Sequence, residues 1–566
     1  MKATRKPGLM LALCTAAIAA ALSLPAQAQD APLPHVVRND GQLQLIVDGQ
    51  PFIALAGEVH NSTASSAEYI APIWPRLQGF NLNTVVSPVY WELVEPAEGQ
   101  YDFALVDEQL RQARAHGLRL VLLWFGTTKN AKSTFAPAWV LADRNRFSRA
   151  ETAAGANPFD QGDPVLSVFD EDTMAADARA FAALMAHLAR VDPQHTVITV
   201  QVENEAGLLG DSRDRSDLAN RAWRGQVPAT ILARLRRGNL QPSLQALWAA
   251  NGSRTSGTWS QVFGDDWQAH EAFMAWGVSR YIDHVAAAGK RELPLPMYAN
   301  AWLGPQNPGD AAGAYPSGGP VPRVFDIWQA NAPHLDWLSP DIYVDDYAGW
   351  AGQYAANQGA VFVPEARFEV GNLFTTLGAL DGFGFAPFGI EDGLPGNQLS
   401  DAYGILSGAL PVIARAQADN RIAGFALAAE EVRQITFPGY RLTVQGQREA
   451  VNRRFRDMGV PVQAPAPEPR AQTAGWGRAE MSDLRPSGLI IMLAEDEFLL
   501  AGKDVDLVIA DESGRRLEVV RYQEGRYVDG EWQNGRVLNG DERMAPLPND
   551  RFGMVRIRVL PAASGR

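Results

Sequence analysis

The chain contains one cysteine, Cys14, and that residue falls within its first 28 positions. Cleavage after Ala28 would leave no thiol, so disulfides and cysteine nucleophiles are excluded from such a mature protein. Histidine is also scarce, with eight residues, and no His-Glu-x-x-His or similar ligand spacing occurs. No catalytic metal is expected from that pattern. No Gly-rich turn of the P-loop or dinucleotide type follows the first strand pattern, and no cofactor is expected. Basic residues are outnumbered, 50 against 64 acids, for a formal net charge of −14. A field of that sign opposes nucleic-acid binding.

Long apolar runs are lacking apart from residues 8–24, which are interrupted by Cys14, Thr15 and Ser23 and end before Pro25. Lys2, Arg5 and Lys6 precede the run, and Ala26-Gln27-Ala28 follows it. That order reads as a cleavable secretory signal over residues 1–28 rather than a retained membrane span. Its removal would take the charge from −14 to −17. A periplasmic or secreted protein is expected.

What is present is a chain of 566 residues, 46% hydrophobic, enough for two or three domains with substantial cores. Gln42–Val47 and Pro51–Leu55 read as strands joined by the Asp48-Gly49 turn. Strand patterns then recur at Phe52–Val59, Thr84–Val89, Arg119–Trp124, Val197–Val202, Leu295–Asn300, Trp337–Tyr343, Ala360–Pro364 and Gly382–Pro387. Helical patterns at Ala67–Leu77, Leu105–His116, Met174–Val191, Trp267–Ala288 and Asp401–Gln417 lie among them. The alternation predicts an α/β fold, a (β/α)8 TIM barrel over residues 29–419, with a doubly wound open sheet as the alternative. Residues 206–292 are too long for one connection and read as an insertion at the barrel mouth. After residue 420 come short strand patterns at Phe425–Ala429, Gly488–Leu493, Phe498–Leu500, Val505–Ile509, Leu517–Tyr522 and Met554–Val559. These predict a smaller C-terminal all-β sandwich over residues 420–566, with a Pro- and Ala-rich tether at 460–475.

Catalytic groups of such barrels sit at the C-terminal ends of strands. The strand ends here offer Glu58, His60, Asn61, Trp91, Glu92, Lys129, Asn130, Asn204, Glu205, Tyr298, Asn300, Trp302, Asp341, Tyr343, Glu365 and Arg367. Acids, amides and aromatics dominate. Val197-Ile198-Thr199-Val200 runs into Gln201-Val202-Glu203-Asn204-Glu205, and Val361-Phe362-Val363-Pro364 into Glu365-Ala366-Arg367. Carboxylates are seldom buried without a task or a partner. Two glutamates converging from different strands meet the needs of glycosidic cleavage, one as proton donor and one as nucleophile. Repulsion between them would raise the pKa of the acid, and Arg367 would favour the charged nucleophile.

The segment Ile198–Gly207, containing TVQVENEAG, resembles the acid/base signature of glycoside hydrolase family 35, which usually has Tyr or Phe where this chain has Ala206. Trp91–Phe103, WELVEPAEGQYDF, is similar to that family's second-strand motif, in which Trp-Asn precedes His-Glu-Pro. The layout resembles a bacterial subgroup with a C-terminal β domain, similar to enzymes that trim galactose from xyloglucan fragments. The resemblance implies a retaining exo-β-galactosidase of clan A with Glu205 as acid/base and Glu365 as nucleophile. It also implies that Asn204 holds the sugar 2-hydroxyl and that Tyr343 orients Glu365. Glu203 is expected to be structural, although strand alternation sends it to the same side as Glu205. The family's Ala-Glu-Trp element after strand three is absent here, the stretch being Trp124–Asn130, so Lys129 and Asn130 are expected to supply hydrogen bonds. Glu58, Asn61, Trp91 and Trp302 complete the expected sugar contacts, the tryptophans by stacking. An oligosaccharide is the expected partner. Another clan A β-glycosidase or endo-glucanase, and a carbohydrate-binding protein without catalysis, are the alternatives.

Overall fold

The computed structural model describes residues 32–39, 41–152, 162–393, 396–462 and 483–560. The expected signal segment and most of the expected tether lie outside the described residues. Among the described residues, no helix is long and apolar enough to cross a membrane.

Eight parallel strands close into a barrel. In chain order they are β1 (Ala54–Glu58), β2 (Thr84–Tyr90), β3 (Arg119–Lys129), β4 (Val197–Asn204), β5 (Met297–Trp302), β6 (Trp337–Ile342), β7 (Phe362–Ala366) and β8 (Gly384–Pro387). Each matches a strand expected from sequence, because each is a short run buried almost throughout on both faces. β3 runs to Lys129, five residues past Trp124, and its pairing with β4 shifts register between Trp124 and Lys129. That irregularity brings Lys129 opposite Asn204.

The helices wrap the barrel with local adjustments. The pattern at 67–77 is two helices, Ala67–Ile70 and Trp74–Gly79, because Pro72 interrupts it. The pattern at 401–417 is likewise two helices, Gln398–Ser407 and Leu410–Ala418. Gly408 lies at their junction, where a Cβ would come within 2.2 Å of the Tyr527 carbonyl oxygen. The stretch 206–292 ends in the 26-residue helix Trp267–Glu292, capped by Asp266. This helix packs along Glu171–Val191 as part of the barrel wall. The added material is therefore the four short helices before it, between Asp217 and Phe263.

A three-stranded antiparallel sheet of His35–Asn39, Gln42–Val47 and Gln50–Pro51 covers the N-terminal end of the barrel. Asp48 and Gly49 both take positive φ, 53° and 74°, as a two-residue hairpin turn requires. Arg38 anchors the sheet by donating to the carbonyls of Gln358 and Asp336, which precede β7 and β6. The opposite end is left for the site.

The C-terminal part packs a six-stranded against a three-stranded antiparallel sheet. Phe425, Leu442, Val444, Ile490, Phe498, Leu500, Val555 and Ile557 fill the space between them. Val432–Phe437, Tyr440–Gly446 and Glu531–Val537 are strands the sequence reading lacked. Two of them expose much of their surface, so their hydrophobic alternation is weak. Asp483 ties this part to the barrel by accepting from the Gly371 N–H at 2.8 Å, at the start of helix Val370–Ala379 that follows β7.

Candidate active site

β4 leaves the core through two residues in the left-handed region, Glu203 with φ 63° and Glu205 with φ 44°. Non-glycine residues rarely adopt that conformation, and it concentrates at functional sites. Simple alternation fails here as a result. Glu203 turns its carboxyl group toward helix Glu171–Val191 and the end of β3. Asn204 and Glu205 both reach the mouth of the barrel.

There, Glu205, Asp341 and Glu365 each bring a carboxyl oxygen within 4.8 Å of the other two. All three are buried, with 6%, 3% and 4% exposure. Glu365 Oε1 accepts from Asn204 Nδ2 at 3.0 Å, and its Oε2 accepts from the Tyr343 hydroxyl at 2.9 Å. Asn300 joins the remaining pair: its Oδ1 accepts from the Glu205 backbone N–H at 2.9 Å, and its Nδ2 donates to Asp341 at 2.6 Å. Burial raises the Glu205 pKa to about 8, and the nearby Glu365 carboxylate adds to the shift. Lys129 and a hydrogen bond with Asp341 oppose it. Asp341 is held well above the usual carboxylate range, by burial first and then by Glu365 and Glu205. The geometry thus contains a protonated carboxyl beside one that receives two strong donors, the division of labour an acid and a nucleophile require.

The donor that fixes Asn204 is Lys129, whose ammonium donates to Asn204 Oδ1 at 2.8 Å and lies 5.2 Å from the Phe125 ring centroid. Asn204 is therefore gripped at both ends of its amide, and the assignment of its oxygen and nitrogen follows from those partners. Behind it, Glu203 accepts from the Thr127 and Thr128 backbone N–H groups at 3.1 and 2.5 Å. Asp177 accepts from the Trp124 indole, the Thr127 N–H and the Tyr281 hydroxyl. Burial and the adjoining Asp177 push the Glu203 pKa well upward. Gly126 crosses this carboxyl pair, and a Cβ there would sit 2.6 Å from Glu203 Oε1 and 2.8 Å from Asp177 Oδ1.

Several sequence expectations are corrected. Trp91 is fully buried, donates to Glu95 Oε2 at 2.9 Å and packs edge-on against Trp139, so it is core and not a stacking platform. Lys129 donates to Asn204, which takes one of the three hydrogens of its ammonium. Arg367 pairs with Asp345 at 2.8 Å and with Glu369 at 3.6 Å, so Glu365 draws its donors from Asn204 and Tyr343 instead. Glu203 is supporting, as expected, but through its left-handed turn and not through a pleat shared with Glu205. Asn130 has φ 51°, and its Oδ1 and that of Asn61 are buried without a hydrogen-bond partner. Trp302 is half-buried at the end of β5, in register with Asp341. Glu58 is fully buried at the end of β1.

Asn300 and Asp341 stood among the strand-end residues without a role and prove central. Asp177 and Tyr281 lie inside helical patterns, where nothing in the sequence marked them. The trio of Glu205, Asp341 and Glu365 is also the kind of all-oxygen grouping that can hold a hard cation. The Asn204, Asn300 and Tyr343 hydrogens aimed at these groups suit shared protons better than a cation.

Comparison with known proteins gives two partial matches to protein families. Residues 71–268 match a family described as Beta-galactosidase, glycoside hydrolase family 42. Residues 399–546 match a domain family of unknown function, DUF5597. A Beta-galactosidase from Xanthomonas manihotis is 30% identical over 199 residues, 34% of this chain and 30% of that protein. Among solved structures, a beta-galactosidase from Rahnella sp. R3 aligns with 67% of this chain and 58% of its own, at 16% identity and a TM-score of 0.42. A catalytic mutant of a GH42 beta-galactosidase from G. stearothermophilus aligns with 90% of this chain and 98% of its own, at 10% identity and a TM-score of 0.45. The chain thus spans under a third of the curated relative it matches, and the family match over residues 71–268 includes Lys129, Asn204 and Glu205.

Proposed function

We propose that this chain is a retaining, exo-acting glycoside hydrolase that removes terminal β-galactose from plant cell-wall oligosaccharides of the xyloglucan type. The observation that carries the reading is the pairing of Glu205 with Glu365. Their carboxyl oxygens approach within 4.8 Å, one group held protonated up to about pH 8 and the other hydrogen-bonded by Asn204 and Tyr343. Such a spacing suits double displacement, since inversion needs about 6.5–9.5 Å to admit a water.

In the first step Glu205 gives its proton to the glycosidic oxygen while a Glu365 oxygen bonds to the anomeric carbon. The aglycone leaves as an alcohol, and a glycosyl ester of Glu365 remains. In the second step Glu205 takes a proton from water as that water attacks the anomeric carbon, and Glu365 departs as a carboxylate. Asn204 and Tyr343 steady the charge that disappears and returns on Glu365.

Exo action is supported by the burial of Glu205 and Glu365 and by the bridging of loops beside them. The loops after β4 and β5 are laced together by reciprocal backbone bonds between Leu208 and Ser317, at 3.1 and 2.8 Å. The choice of galactose draws on the family match and on the Xanthomonas manihotis relative. Membership of family 35 and the xyloglucan preference draw on the resemblance of TVQVENEAG and WELVEPAEGQYDF. An exported protein follows from the signal-like residues 1–28.

A panel of aryl β-glycosides differing at C4 and C6 tests the glycone, and Glu365→Ala tests the mechanism. That variant is expected to lose hydrolysis and to form an α-glycosyl azide, with inversion, when azide is supplied to an activated substrate. Unchanged turnover would sink the assignment of Glu365.

A further inference from the structure

Glu58 ends β1 fully buried, and neither of its carboxyl oxygens has a hydrogen-bond partner. A buried polar group in that condition is costly unless something else satisfies it. Its surroundings are those of the site: Glu365, Lys129, Glu205 and Glu391 act on it, and it acts in turn on Asp341, Tyr343 and Tyr298. Asp341 Oδ1 and the Tyr298 hydroxyl are likewise buried and unpartnered. Three strands, β1, β5 and β6, therefore hold open hydrogen-bonding capacity around the group assigned to attack the sugar.

We propose that Glu58 recognises hydroxyl groups of an uncharged glycone and helps decide which sugar the pocket accepts, an inference that rests on the glycosidase reading above. Burial, and then the charge of Glu365, keep the Glu58 carboxyl neutral. A neutral carboxyl offers one O–H donor and retains acceptor oxygens, so it can serve two neighbouring hydroxyls at once. A charged ring substituent would meet a different reception. Among the described residues, Lys129 is the cation acting on Glu58, Glu205 and Asp341, and it already donates to Asn204, so a uronic acid's carboxylate would be buried there without a partner, at a desolvation cost. The class accepted is a neutral hexose or pentose.

The test uses the full chain and the aryl glycoside it hydrolyses best, together with the 3-, 4- and 6-monodeoxy analogues of that substrate. Glu58→Leu is expected to lower kcat/KM for the parent by about 100-fold, in line with a lost hydrogen bond in a buried site. On an analogue missing a contacted hydroxyl, the penalty of Glu58→Leu should shrink to about 10-fold or less, because the wild type has lost that contact too. Glu58→Gln, which keeps a donor and an acceptor, should restore most of the loss. An equal penalty across all analogues would mean that Glu58 holds only water or packs the core, and would overturn the proposal. Calorimetric binding of the free monosaccharide to wild type and Glu58→Leu gives a readout independent of turnover. Glu58-dependent binding without hydrolysis would keep the proposal and reject the glycosidase reading. Equal affinities for the two proteins would reject the proposal.

Discussion

Asn204 donates to Glu365 across 3.0 Å although 161 positions separate them in the chain, and its other amide atom accepts from Lys129. One side chain thus joins the ends of β3, β4 and β7. Removing it leaves Glu365 held chiefly by Tyr343 and the Lys129 ammonium without its acceptor. Asn204→Ala is expected to lower kcat about 100-fold on an aryl glycoside, the scale of losing a preorganised donor at a reacting centre. Pre-steady-state kinetics should place the loss in formation of the glycosyl-enzyme. A fall in KM alone would contradict the role.

In the proposed mechanism Glu205 must be protonated to act as the acid, and its pKa is raised to about 8. The reactive form is present below that pH and is lost as pH rises through it. The alkaline limb of kcat/KM should therefore fall near pH 8, since that profile reports the free enzyme. Glu205→Gln should erase the limb. Its first step should be slowed severely for poor leaving groups and mildly for a dinitrophenolate.

Gly126 lies against the Glu203–Asp177 pair with no room for a methyl group. Gly126→Ala is expected to destabilise the fold by roughly 1–3 kcal/mol, as overpacking usually does. Because the same stretch of β3 carries Lys129 toward Asn204, the variant should also lose activity below its melting temperature. Thermal denaturation beside kcat at 20 °C below each midpoint separates the two effects.

Glu58 starts from a reference pKa of 4.5 and is raised well above it by burial. Above pH 4.5 the unfolded chain releases this proton while the folded one keeps it, so stability declines as pH rises toward the folded pKa. The slope is about 1.4 kcal/mol per pH unit for one such group. Glu58→Gln lacks that term. Its melting temperature relative to wild type should be nearly unchanged at pH 5 and should gain steadily by pH 8. A difference independent of pH would show that the side chain ionises in the folded state as freely as in the unfolded one.

Much of this was legible in the chain. β4 and β7 are short apolar runs that end in glutamate, and a buried strand that stops in a carboxylate has few reasons to do so. The eight barrel strands were readable for the same reason: parallel strands covered on both faces are almost continuously apolar. The solvent-facing strands Val432–Phe437 and Glu531–Val537 carry no such signal. Trp91 shows the converse limit. Its position after β2 suggested a sugar platform, yet the Glu95 carboxylate and the Trp139 ring claim it for the core.

Sequence by itself determined the barrel strands and the β-sandwich and set Glu205 and Glu365 at strand ends, because burial pattern and strand-end chemistry are local properties. Tertiary structure decided which groups meet. The left-handed turns at Glu203 and Glu205 set one carboxyl behind the site and the other within it. The register shift in β3 delivers Lys129 to Asn204, and barrel closure brings Asp341 and Asn300 to the pair. Those choices depend on backbone torsions and on distances between strands far apart in the chain, and neither is written in the order of the residues.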